Sequence, residues 1–179
     1  MNTKQTSNEF LANLGPTASL GIDVGRVIMC PVHDDGQPDT SFLTSSDTDA
    51  LQTPAAPGLW EVVPDLVGLF GGRVWLVSKA GARIETLTRR WFEHHRFFER
   101  TSLRPDAARF CRKREDKRVH ATELGLTHFI DDRVDVLGHL RGLVPRLGLF
   151  GVQREPAPDW VLPIPDWGTL GRALSRGSG

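Results

Sequence analysis

Ser19-Leu20-Gly21-Ile22-Asp23-Val24-Gly25-Arg26 and Thr127-His128-Phe129-Ile130-Asp131-Asp132-Arg133 decide how this chain is read. Each is a short apolar run ending in an acid, a predicted strand whose C-terminal edge carries a carboxylate. Open parallel α/β sheets gather their ligands at that edge. Carboxylates converging there can hold a hard divalent cation, and one oxygen can act as a nucleophile. Two residues past Asp23, however, stands Gly25 rather than a second acid.

Between the two strings, strand and helix signals alternate. Leu59 to Phe70 carries apolar residues on one helical face; Pro64 fits only a first turn, so the helix is predicted to start near it. Gly71-Gly72 stops it, and Arg73 to Ser78 reads as a fully buried strand. One long helix is expected over Ala82 to Phe98, with Ile84, Leu87, Trp91, His95 and Phe98 on its stripe. A weaker strand is predicted at Ala108–Cys111, and a helix from Lys117 to Leu124 capped by Gly125. After the acidic strand come a short helix over Val134–Leu140 and a last core strand at Arg146–Phe150. Helix-length crossovers imply parallel pairing. The fold class is therefore α/β, a three-layer Rossmann-like parallel sheet with helices on both faces.

The expected organisation has three parts. Residues 1–16 are a polar lead-in, with one turn of helix around Phe10 to Leu14. Residues 17–152 form the α/β domain, including a Pro-, Asp- and Ser-rich flap-like excursion over 29–57. Residues 153–179 form a Pro-rich tail that wraps the domain before a last turn at Trp167 to Leu174.

Composition narrows the function. The 179 residues suffice for one good core. Lys plus Arg equals Asp plus Glu at 22 each, which makes no electrostatic case for a nucleic-acid or membrane-surface partner. The run Arg112 to Arg118 mixes signs and reads as a solvated helix start. Two cysteines, Cys30 and Cys111, without a Cys/His cluster fit a reduced compartment and argue against structural zinc. No apolar stretch has membrane-spanning length and no signal peptide is read, so a cytoplasmic location is expected.

Four elements then recur in strand-linked order: Asp23 after the first strand, Ser78-Lys79 after the second, a lysine ahead of the penultimate strand, and Asp131-Asp132 after it. In this order the chain, from about Ala18 to Phe150, resembles the haloacid dehalogenase superfamily of phosphatases and related enzymes, most closely its capless or small-capped branches. The resemblance implies a minimal cap and an Asp23 nucleophile. It also implies Mg²⁺ held by Asp23, the Gly25 carbonyl and Asp131, with Asp132 or Asp135 as a further ligand or outer support. Ser78, with Lys79 and the following helix N-terminus, is implied to bind phosphate. Lys117 is implied to steady nucleophile and phosphate, with Lys113 the alternative; Lys117 is preferred because it opens the helix leading into the acidic strand. A receiver-like signalling domain uses similar groups, but its acidic pair follows the first strand, the reverse of the order here.

The implied activity is Mg²⁺-dependent hydrolysis of a phosphate monoester through an aspartyl-phosphate on Asp23. Phosphatases of this family place, two residues past the nucleophile, the acid that protonates the leaving oxygen, help worth about 10²- to 10⁴-fold in rate. Gly25 has no proton to give. Three readings follow: a slow phosphohydrolase recruiting His33, Asp34 or Asp35 from the excursion, a different reaction of the family, or binding of Mg²⁺ and a phosphorylated ligand without turnover. The short cap segments leave an open site, which suits a phosphorylated small molecule or macromolecule, or closure by a second copy in a homodimer. The remaining histidines and the tryptophans read as packing, and Cys30 as a small buried hydrophobe.

Overall fold

A computed structural model describes residues 3–29 and 47–177. In chain order its elements are α1 (Thr3–Phe10), β1 (Leu20–Ile22), α2 (Asp47–Leu51), α3 (Leu59–Leu69), β2 (Val74–Lys79), α4 (Ala82–His94), α5 (Phe97–Thr101), β3 (Ala108–Cys111), α6 (Lys117–Glu123), β4 (His128–Asp131), α7 (Val134–Leu140), β5 (Arg146–Phe150), β6 (Leu162–Ile164) and α8 (Trp167–Gly177). The six strands form one sheet in the order β3-β2-β1-β4-β5-β6, every pairing parallel. The sequence order reverses beside β1, so the β1–β4 boundary is the topological switch point where such sheets open a crevice.

Alternation along the strands makes the layers. Leu20, Ile22, Val74, Leu76 and Ile130 point to one face, where they meet Leu59, Val63 and Leu66 of α3, Leu87 and Trp91 of α4, and Trp167 and Leu170 of α8. Val77, Phe129, Leu147 and Leu149 point to the other, against Ala121 of α6 and Leu137 and Leu140 of α7. Both faces of every central strand are buried, which is why these strands read as unbroken apolar runs.

Four expectations are corrected. The helix α3 begins at Leu59 and carries Pro64 in its interior. Losing the Pro64 amide costs about 3 kcal/mol. The preceding turn buries Leu59, Val62 and Val63 fully or nearly so, each worth about 1.5–3 kcal/mol, and that outweighs the loss. The predicted helix over 82–98 is two helices. Arg96 takes a left-handed conformation at φ 50° and turns the chain, so Phe97 packs into the same core as Phe92, ring centroids 4.9 Å apart.

At the N-terminus the helix precedes Phe10 rather than following it. Phe10 is fully buried, edge-on to His128 at 5.2 Å, and that anchor fixes α1. The expected surface-wrapping tail supplies the edge strand β6, which pairs with β5 through Gly148↔Leu162 and Phe150↔Ile164. Pro163 lacks an amide donor, a deficit tolerated on an edge.

The 29–57 excursion is described only at its ends. Met29 bridges Ala55 in antiparallel sense, and α2 packs on α4, where Asp47 pairs with Arg90 at 2.8 Å. Cys30, His33, Asp34 and Asp35 lie outside the described residues.

Candidate active site

The two acidic strand ends meet at the switch point. Ile22 pairs with Ile130, and the Asp23 amide donates to the Ile130 carbonyl at 2.9 Å. That locks the residue after β1 beside the last residue of β4, so Asp23 and Asp131 are neighbours by register. Asp132 follows, and one carboxylate oxygen from each of the three lies within 4.8 Å of the others.

Lys117 closes this cluster from below. It is the first residue of α6, and its Nζ donates to Asp23 Oδ1 at 2.5 Å and to Asp131 Oδ2 at 2.7 Å, with the side chain only 3% exposed. Its ammonium lies 5.6 Å from the centre of the Phe129 ring. Phe129 can lie there because Gly21 faces it: a Cβ on Gly21 would meet the ring at 2.5 Å. A glycine in β1 thus seats the aromatic ring beside the lysine that joins both acids. Lys113, the alternative, is exposed and pairs with Glu115 at 3.6 Å.

Charge sets the protonation behaviour. Burial works against the Lys117 ammonium, but the adjacent Asp23 and Asp131 charges more than offset it and hold the group above its ordinary value. Burial, then the Asp23 charge, pushes the Asp131 carboxyl upward against the pull of Lys117. The Arg133 amide donates to Asp131 Oδ1 at 3.0 Å. Asp132 is pushed up to about 6 by burial first and Asp23 second. Three carboxylates gather around one buried ammonium, with Arg26 reaching Asp132 only from the exposed side, so the cluster carries excess negative charge and favours a proton or a cation.

Arg26 is a further charge nearby. It takes a left-handed φ of 63° and reaches Asp132 Oδ2 at 3.4 Å from a side chain that is more than half exposed. The turn behind Asp23 is tight. The Ile28 and Met29 amides both donate to the Val24 carbonyl, at 2.9 and 3.1 Å, and Trp167 Nε1 donates to the Val27 carbonyl at 2.9 Å.

The other expected residues sit as follows. Gly25 is exposed, and among the described residues a Cβ on it would find only Asp23 Oδ2, at 4.0 Å. Ser78 is buried at the C-terminal end of β2, one strand from Asp23, and Lys79 beyond it is exposed. The helix α4 that follows starts without a side-chain cap. Asp135 turns away from the cluster: it pairs with Arg133 at 3.0 Å and Arg114 at 3.8 Å. Of the two candidates for a further acid, only Asp132 joins Asp23 and Asp131.

Sequence reading missed two contributors, Gly21 and Phe129, and gave Trp167 a packing role without its bond to the turn behind Asp23. The Gly21 signal was available, since a glycine inside a strand marks a close approach. His95 accepts a structural place, its Nε2 2.9 Å from the Leu51 carbonyl. Cys111 is buried, its Sγ within 3.2 Å of the Lys113 carbonyl, and burial pushes its thiol up.

The donor set suits Mg²⁺, which prefers hard oxygen ligands and keeps several waters. Among the described residues, Asp23, Asp131 and Asp132 are the ones that could hold it.

No family model and no curated protein matches the chain. Among solved structures, the fold is similar to that of a D,D-heptose 1,7-bisphosphate phosphatase from B. bronchiseptica complexed with magnesium and phosphate. The match has a TM-score of 0.62 at 13% identity and covers 89% of this chain and 99% of that one. The likeness is one of fold, a six-stranded parallel Rossmann-like sheet with helices on both faces, as the sequence led one to expect. Among the described residues, no helix is long and apolar enough to cross a membrane.

Proposed function

We propose that this protein is a Mg²⁺-dependent phosphohydrolase that cleaves a phosphate monoester through an aspartyl-phosphate on Asp23, and that Gly25 makes it slow or atypical. The observation that carries the reading is the buried Lys117 ammonium bridging Asp23 and Asp131 beside Asp132 at the sheet's switch point.

Bound Mg²⁺ supplies neutralisation of the phosphoryl oxygens, without which a carboxylate cannot approach a phosphate. Asp23 gives one oxygen to Lys117 and has the other to offer to phosphorus. Lys117 fixes the rotamer of Asp23 and adds positive charge where the transferring group sits. Ser78 and the N-terminal backbone of α4 would take a phosphoryl oxygen, and Lys79 adds exposed positive charge at the rim. Attack forms the bond from Asp23 to phosphorus and breaks the ester bond; water then releases phosphate and restores the carboxylate.

A second reading is favoured by one observation, Gly25. The same cluster could bind Mg²⁺ and a phosphorylated ligand without turnover.

The test is phosphate release from a panel of phosphate esters with Mg²⁺. Wild type should turn over slowly, and Asp23→Asn should abolish release. Turnover that survives Asp23→Asn would remove the nucleophile assignment. Absence of turnover in wild type, with Mg²⁺ and a phosphate analogue still binding, would leave the binding reading.

A further inference from the structure

The turn behind Asp23 shows solvent little but Arg26. Along Val24-Gly25-Arg26-Val27-Ile28-Met29 the four apolar residues are buried, and the tip, Gly25-Arg26, is exposed. That tip is held from several sides. The Arg26 amide donates to the Met29 carbonyl at 2.7 Å, the Ile28 and Met29 amides to the Val24 carbonyl, and Trp167 Nε1 to the Val27 carbonyl. Arg26 itself sits at φ 63°, a conformation that a Cβ disfavours and that glycine takes freely. Its contact with Asp132 is long, 3.4 Å, from a side chain 55% exposed. Such a pair returns less than the backbone costs. An arginine kept there against its backbone points to a use outside the fold. Lys117 joins Asp23 from the buried side, while Arg26 reaches the acids from the solvent side, where a substrate must enter.

Resting on the phosphohydrolase reading above, we infer that the substrate is a phosphate monoester carrying a second anionic group, a carboxylate or a further phosphate, and that Arg26 binds that group at the mouth of the site. Asp23 attacks phosphorus with the leaving group in line on the far side. Lys117 occupies the interior side, so the rest of the substrate extends toward solvent, past Arg26. A guanidinium meets a carboxylate or phosphate with two parallel N–H donors, a stronger contact than the long one to Asp132. Arg26 therefore exchanges Asp132 for the substrate, which also leaves an Asp132 oxygen for the cation. The held turn fixes where the guanidinium starts, so little freedom is lost on binding. Arg26 makes and breaks no bond in the reaction; it selects which ester is held.

The experiment measures kcat and KM of the full chain with Mg²⁺ on matched pairs of esters. One pair is 3-phosphoglycerate and glycerol 3-phosphate, which differ by a carboxylate. The other is propane-1,3-diol bisphosphate and its monophosphate, which differ by a phosphate. Wild type should favour the member with the second anion, in at least one pair, by about 10-fold or more in kcat/KM, carried by KM. The pair that shows the preference identifies the anion. Arg26→Gly should bring that ratio within about threefold and melt no lower than wild type, since glycine relieves the backbone. Arg26→Lys, which keeps the charge but not the fork, should fall between. Wild-type ratios within about threefold in both pairs, or a ratio that Arg26→Gly leaves unchanged, would overturn the inference and leave the phosphohydrolase reading intact. If no ester releases phosphate, that reading fails, and calorimetric titration of the same pairs with Mg²⁺ decides for Arg26. A preference in Kd that Arg26→Gly removes supports its role, and equal Kd or no binding overturns it. If Arg26→Gly does not fold, Arg26→Asn, which also tolerates this conformation, replaces it.

Discussion

Lys117 is a charged residue kept dry by two partners, and its removal should be felt as a folding defect as well as a catalytic one. Lys117→Met would leave Asp23 and Asp131 facing each other without the ammonium. Breaking one side of a buried ion cluster costs about 3–5 kcal/mol, to be read by urea denaturation without metal. A loss under 1 kcal/mol, the level of exposed pairs, would contradict the burial. Mg²⁺ should raise the melting temperature of wild type, because a ligand bound at about 100 times its Kd adds about 2.7 kcal/mol. Asp132→Asn should shrink that rise by weakening the cluster, and an equal rise in both proteins would take Asp132 out of the metal site. Asp23 and Asp131 were legible because strand ends announce themselves through an apolar run followed by an acid. The choice between Lys113 and Lys117 rested only on where a helix was expected to open. The structure brings Lys117 to the acids because α6 starts there and its first residue faces the crevice.

At the scale of elements, the contact between β1 and β4 supports the site. Gly21→Ala would drive a methyl group into Phe129 and Leu126, with approaches of 2.5 and 2.7 Å. Overpacking of this kind costs about 1–3 kcal/mol. Because Phe129 borders Lys117, Mg²⁺ affinity should fall together with stability, and calorimetric titration with MgCl₂ checks it.

His128, at the other end of β4, gives a pH signature. It is wedged between the rings of Phe10 and Phe70, with Nδ1 2.8 Å from Thr127 Oγ1. Burial, then the Arg146 charge, holds it down to about 4 from an ordinary 6.5. The unfolded chain therefore takes up this proton first, and stability falls as pH drops from 6.5 toward 4. Asp132, raised to about 6, acts with the opposite sign, because there the folded state takes the proton first. Comparing wild type with His128→Gln isolates the histidine: the variant should lose less melting temperature between pH 7.5 and pH 5. An equal loss would mean that His128 is not the neutral, buried group described.

Helix signals were readable in proportion to the regularity of their stripes. The break at Arg96 was not, because a left-handed arginine has no sequence mark, and Pro64 misled because a local penalty lost to burial of the residues before it.

For the molecule as a whole, the least legible part was the end of the chain. Leu162-Pro163-Ile164 is too short and too proline-interrupted to show a period, and its strand character comes from pairing with β5. Yet this segment delivers Trp167, which is fully buried, packs on Phe150 at 5.1 Å and bonds the carbonyl of Val27. Trp167→Ala should cost about 3–5 kcal/mol. Trp167→Phe keeps most of the bulk and loses the hydrogen bond. It should therefore speed hydrogen exchange at Ile28 and Met29 more than at β5, and uniform acceleration would mean that the bond does not restrain that turn. The overall class, by contrast, followed from alternation alone, since parallel strands buried on both faces leave few other arrangements.

The bond from Trp167 to Val27 joins residues 140 positions apart, and it sets an order of events during synthesis. Domains fold as they emerge, N-terminal parts first, at about 5–20 residues per second. Asp23 is made before α8, while the turn behind it gains the bond from Trp167 only when α8 arrives. A nascent chain that has emerged only through β5 would carry every acid of the cluster and still lack the bond from Trp167 to Val27, so the finished turn would come only with emergence of α8.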